Sequence, residues 1–205
     1  RLAEAGIEIP EVAAPVASYV PATEHAGLVY TSGQLPMVSG TLAETGIVGE
    51  GVGTVTPQRA AELAQICAVN ALAAAKSVVG DLDRIERVVK VVGFVASEAG
   101  FAGQPAVVNG ASELMATAFG EAGQHARSAV GVAALPLGAP VEVEVHVAEQ
   151  RAVLAVERQA PRHDERVTLG VGTNLRRVWR SLPVHARLLG CRRDQWGASI
   201  RYASS

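Results

Sequence analysis

The sequence predicts an α+β fold in which one mixed sheet carries two helices on a single face. Three observations lead to it. Periodic segments follow one another as hairpin, helix, strand, helix, hairpin. Two segments, 57–79 and 104–120, place apolar residues at helical spacing. A last segment, PVEVEVHV at 140–147, alternates strictly, with Val141, Val143, Val145 and Val147 on one face and Glu142, Glu144 and His146 on the other.

The elements follow in order. GLVYTSG at 27–33 reads as a strand that ends at Gly33, before the turn-forming QLPMVSG, and a second strand over 41–48 is expected to pair with it as a hairpin. Thr56 and Pro57 supply a helix N-cap and a proline at the first helical position, where its missing N–H leaves no bond unmade. In the helix that follows, Ala60, Leu63, Cys67, Ala71, Ala74 and Val78 form one apolar stripe, and Gly80 ends the run. RIERVVKVVGFVA at 84–96 is β-branched and reads as a long, largely buried strand with a bulge at Gly93. In the second helix Val107, Leu114, Met115 and Ala118 face inward, with Gly110 as a weak point. RSAVGVA at 127–133 and the alternating 140–147 segment are read as neighbouring strands joined through the LPLG turn at 135–138.

Composition divides the chain near residue 148. Residues 1–148 hold 7 Lys or Arg against 15 Asp or Glu, whereas residues 149–205 hold 11 Arg, no Lys and 5 acidic residues, together with both tryptophans. The second part, an Arg-rich C-terminal extension, shows a short helical pattern at 174–189 but no sustained period, so weak order is expected there. An extension, a partner-binding arm and translation in a shifted frame are the alternatives for it, and the abrupt change of composition motivates the last. The most apolar stretch, 60–79, is interrupted by Glu62, Gln65, Asn70 and Lys76, so no membrane span is expected. Cys67 and Cys191 make no disulfide framework, and RLAEAGIEIPE is not a signal peptide; a cytoplasmic location is the expectation.

Sequence patterns for metal, phosphate or an activated serine are missing. His25, His125, His146, His163 and His185 lack metal-ligand spacing, and GEGVG at 49–53 lacks the lysine and following Ser or Thr of a phosphate loop. No metal site or phosphate loop is therefore expected. Arg127 stands out, because it opens an otherwise apolar strand and is the only basic residue between Lys90 and Arg151. A guanidinium in a partly buried site needs a carboxylate opposite it, from the protein or from a ligand. Its planar fork suits a carboxylate ligand, while Glu142 could instead make a structural ion pair with it if the two strands are neighbours.

Several separated segments carry a family resemblance: PVASYVPA at 15–22, YTSGQLP at 30–36, VVN at 107–109 and, most specifically, HARSAVGVAALPLGAPVEVEV at 125–145. Over about residues 13–148 the chain resembles the reactive-intermediate deaminase (RidA, YjgF-like) family. Its 35–56 segment departs from the commonest members, which points to a divergent branch. The resemblance implies a chorismate-mutase-like homotrimer with intersubunit clefts that hydrolyse 2-imino acids and their enamine tautomers to 2-keto acids and ammonia without a cofactor. It implies Arg127 as the clamp on the substrate carboxylate, Glu142 as the water-positioning group, Ser32 and Tyr19 as cleft residues, and Asn109 on the second helix. Ala129 stands where the family often has a cysteine. Two rivals remain: a non-catalytic regulator that binds small carboxylates in the same cleft, and an RNA-acting translation inhibitor. The acidic, aromatic-poor core disfavours an RNA track, and only the Arg-rich extension favours one.

Overall fold

The computed structural model describes residues 1–12 and 18–150. The predicted helix at 174–189 and the predicted weak order of the Arg-rich extension lie outside the described residues. The first helix, α1 (Pro57–Val79), begins where capping chemistry places it: Thr56 Oγ1 accepts from the Arg59 amide at 3.2 Å and Pro57 opens the first turn. It stops at Gly80, whose φ of 83° and amide bond to the Lys76 carbonyl at 2.8 Å close the helix. Ala60, Leu63, Cys67, Ala71 and Ala74 are buried as the stripe predicts, but Val78 is exposed and Val79 takes the inward place in the last turn. By length and composition α1 could cross a membrane; here its apolar side packs within the core, against the sheet and the second helix.

The main sheet holds β1 (Ala22–His25), β2 (Leu28–Thr31), β5 (Ile85–Ala96), β6 (Ala126–Val132) and β7 (Val141–Glu149), while β3 (Met37–Val38) and β4 (Thr41–Leu42) make a separate two-stranded ribbon. The sheet order is β1-β2-β7-β5-β6, with β6 parallel to β5 and the other pairs antiparallel, so the sheet is mixed as expected. The second helix, α2 (Gln104–Phe119), is the crossover between the parallel strands β5 and β6. Val141, Val143, Val145 and Val147 are fully buried, joined by Val29, Val88, Val91 and Val95 from neighbouring strands and by Leu63, Leu72, Leu114 and Met115 from the helices. Each such side chain contributes roughly 1.5–3 kcal/mol.

Three sequence expectations are corrected. Residues 41–48 do not pair with the first strand. β2 turns back on β1 through Ala26 and Gly27, both at positive φ, and β3 turns onto β4 through Ser39 and Gly40 in the same way. Two-residue turns of that handedness match strand twist, but an alanine in the first position gives no sequence signal. The strands of the expected closing hairpin are not neighbours, because β5 lies between β6 and β7. The chain from β6 passes through the 136–138 turn and across the end of β5, where the Ala96 amide donates to the Pro140 carbonyl at 3.0 Å. Gly93 marks no bulge either. It pairs regularly with Val143 and Ala129, and the register shifts fall earlier, between Ile85 and Lys90. A Cβ at Gly93 would meet the Val108 side chain, so its role is to let α2 approach the sheet.

Candidate functional site

The residues singled out by sequence fall into two groups on opposite sides of the sheet. Glu142 lies on β7 with its side chain on the face away from the helices, since Val141 and Val143 on either side of it are buried against them. The end of β2 covers it. Gln34 exchanges backbone bonds with Val143, at 2.9 and 3.0 Å, and Gln34 Nε2 donates to the Ser32 carbonyl at 3.1 Å, which holds 32–34 over β7. Gly33 packs so closely on the Glu142 carboxyl that a Cβ there would overlap Oε1. The Ser32 hydroxyl donates to the Val20 carbonyl at 2.7 Å and its amide to the Pro21 carbonyl at 2.8 Å, tying down the segment next to Tyr19, which is itself exposed. Gly33 thus lies on the Glu142 carboxyl, with Ser32 next to it along the chain and Tyr19 one residue from the Ser32 anchor.

Glu142 makes no ion pair or side-chain hydrogen bond among the described residues. Burial pushes its carboxyl above the ordinary glutamate value, and the charge of Glu144 on the same face pushes it further in that direction. A half-buried carboxyl without a protein donor is available to water or to a ligand.

The second group surrounds Arg127 on the edge strand β6. Arg127 stands in register with Val91, which is buried under the helices, so its side chain leaves the helix-facing side of the sheet. There it reaches α2. Nη1 donates to Asn109 Oδ1 at 2.8 Å and to Ser112 Oγ at 3.1 Å, two residues that share one helix face at i, i+3 spacing. Both Nη1 protons are thereby used. Among the described residues the Nε and Nη2 protons have no partner and no carboxylate lies within ion-pair distance. The free edge Nε–Nη2 is the side of a guanidinium that takes a carboxylate with two parallel hydrogen bonds. Ser112 Oγ also lies 3.1 Å from His125 Nε2, and His125 Nδ1 lies 2.6 Å from the Gly123 carbonyl. Ala129, two residues beyond Arg127, is on the same side of the strand and packs partly buried against the core.

Arg127 and Glu142 therefore form no pair within one chain, and the structural ion pair that sequence left open does not form there. Sequence reading singled out the two charged residues, Ser32, Tyr19 and Asn109, but assigned no place at the site to Ser112, His125 or Gly33. The only available signals were the i, i+3 spacing of Asn109 and Ser112 and the closeness of His125 to Arg127 along the chain. Two concavities on the chain contain neither charged residue: one is lined by Glu50, Thr54 and Gln58, the other by Pro10, Gln34 and Asn70. Among the described residues no three His, Cys, Asp or Glu side chains are grouped to hold a metal.

A mixed sheet under two helices is the fold that the family resemblance implies. Residues 1–148 match the family described as "YjgF/chorismate mutase-like, putative endoribonuclease", and the chain belongs to that family. Among its relatives is protein TCP17 of Trypanosoma cruzi, 44% identical over 148 residues that cover 72% of this chain and 91% of that protein. Among solved structures, Atu1372 of Agrobacterium tumefaciens, of unknown function, is 48% identical with a TM-score of 0.67, covering 73% of this chain and 90% of its own. A "putative endoribonuclease" from Shewanella oneidensis MR-1 is 31% identical with a TM-score of 0.68, covering 72% and 95%.

Proposed function

We propose that this protein hydrolyses reactive 2-imino acids and their enamine tautomers to 2-keto acids and ammonia, in a cleft that two copies of the chain complete within a homotrimer. The observation that carries the reading is the state of Arg127. Its guanidinium is held by two neutral oxygens on α2, has no carboxylate partner among the described residues, and keeps its Nε–Nη2 edge free. A fixed, uncompensated cation with that edge open favours a small carboxylate.

The chemistry needs little more. A 2-imino acid already has an electrophilic carbon, so hydrolysis needs a held carboxylate, a water aimed at that carbon and a proton for the leaving nitrogen. Arg127 of one copy binds the substrate carboxylate, and Glu142 of a neighbouring copy aligns the water and accepts its proton. The C–O bond forms as the C=N π pair moves to nitrogen, which takes up the proton that Glu142 removed from water; the new hydroxyl then passes its proton to the amine as the C=O bond forms and C–N breaks, releasing ammonia and leaving the 2-keto acid. Desolvation raises the basicity of Glu142 toward this task. Ser32 and Gly33 shape the water side and Tyr19 walls the cleft, while Asn109 fixes Arg127.

The test is ammonia release from 2-iminopropionate generated in place by an amino-acid oxidase. Wild type is expected to accelerate it, and Arg127→Lys to lose about thirty- to a thousand-fold in kcat/KM with the fold retained, because an ammonium cannot keep Asn109 and Ser112 while offering two parallel donors. No acceleration by wild type, at any substrate side chain tried, would remove the reading. The description of the family and of the Shewanella relative as endoribonucleases favours a second reading, an RNA substrate. Against it, residues 1–148 carry 15 acidic residues against 7 basic ones, so RNA cleavage by residues 1–148 is expected to be absent.

A further inference from the structure

We propose that Ser112 and His125 are positioning residues that set the orientation of the Arg127 guanidinium, through a one-way hydrogen-bond chain that requires a single tautomer of His125. This rests on Arg127 as the carboxylate clamp. The chain follows from which atoms can donate. The Gly123 carbonyl only accepts, so His125 Nδ1, 2.6 Å away, carries a proton. In a neutral imidazole Nε2 is then a lone pair, which accepts the hydroxyl proton of Ser112 at 3.1 Å. With its proton committed to His125, Ser112 Oγ presents lone pairs to Arg127 Nη1, also at 3.1 Å.

The consequence is geometric. Asn109 alone would pin one Nη1 proton and leave the guanidinium plane free to swing about that contact. Ser112 takes the second Nη1 proton and fixes the plane, which turns the Nε–Nη2 edge outward. A serine in a helix interior otherwise turns its hydroxyl proton back onto the carbonyl one turn earlier; His125 draws that proton away and holds Oγ toward Arg127. His125 is held in turn by Gly123, in the short 3-10 turn Gly120–Gly123 that links α2 to β6. The turn, the helix and the strand therefore meet on one arginine.

A residue that orients the clamp equally in ground and transition states moves KM and leaves kcat nearly unchanged. Ser112→Ala and His125→Phe are expected to raise KM for 2-iminopropionate, and the dissociation constant of 2-oxobutanoate measured by calorimetry, by about five- to thirty-fold. Ser112→Thr and His125→Gln, which keep an acceptor in each place, should recover most of the loss. Nitrogen-15 spectra of the full chain should show His125 with a protonated Nδ1 and an unprotonated Nε2. Side-chain relaxation should show the Arg127 Nε–H less ordered in Ser112→Ala and His125→Phe. Those spectra need no substrate, so they judge the chain of bonds even if wild type neither turns over the imine nor binds the keto acid, a result that would count against the proposed function instead. The Nε2–H tautomer of His125, unchanged Arg127 order in both variants, or a fall in kcat at constant KM would overturn the proposal. If His125→Phe does not fold, Ser112→Ala and its threonine counterpart decide it alone.

Discussion

Glu142 is more useful to the proposed site than to the stability of the chain. Its carboxyl is half-buried under Gly33, lacks a protein partner among the described residues and stands near Glu144, and both burial and that neighbour favour its protonated form. A carboxyl whose folded value is raised above its unfolded one contributes stability below the unfolded value, near pH 4, and loses it as pH rises through the folded value. At pH 7 the charge is therefore a net burden, reduced to a fraction of a kcal/mol by its partial exposure. Glu142→Gln should raise the melting temperature by roughly 1–2 °C at pH 7 and by nothing at pH 4, while turnover of the imine falls sharply. A lower melting temperature at pH 7 would mean that the carboxylate has a stabilising partner. Both charged residues were legible in the sequence, because a charge in an apolar or strictly alternating strand is conspicuous. Of the partners of Arg127, the family resemblance named Asn109, but nothing in the sequence named Ser112. Asn109 and Ser112 reach Arg127, and His125 reaches Ser112, because β6 is an edge strand beside α2, a fact of strand order rather than of local pattern.

Among the elements, α1 was the most legible, since its cap, its proline, its stripe and its terminal glycine agree. α2 was found with nearly the same bounds, but the meaning of Gly110 was not. Sequence alone marks it as a weak point of the helix; in the fold α1 comes so near that a Cβ there would overlap the Ala61 carbonyl. Gly110→Ala should therefore destabilise by about 1–3 kcal/mol in urea unfolding, although alanine is the better helix former by about 1 kcal/mol. Increased stability would show that the helices can separate without loss. The strand pairings were the least legible. Period-two alternation tells which face a residue takes but not which strand lies beside it, so the 127–133 and 140–147 segments looked like a hairpin although β5 separates them.

Among the described residues, the helices α1 and α2 cover one face of the sheet, and the other face carries Phe94, Val92 and Val130 beside Glu142, Glu144 and His146. Homotrimer formation is the proposed way to cover that face and to bring Arg127 of one copy to Glu142 of the next. Sedimentation of the full chain at micromolar concentration is expected to give a trimer, and a monomer would leave the two half-sites unjoined. The most direct test of the shared site is subunit mixing. Arg127→Ala and Glu142→Ala chains, each inactive alone, are unfolded together in equal amounts and refolded. In a site built from two copies, random assembly gives an intact Arg127 facing an intact Glu142 in about one site in four, so about a quarter of wild-type imine hydrolysis should return. If the mixture, shown to have exchanged subunits, stays as inactive as its parts, the two residues do not act together across an interface, and the account of the site is contradicted.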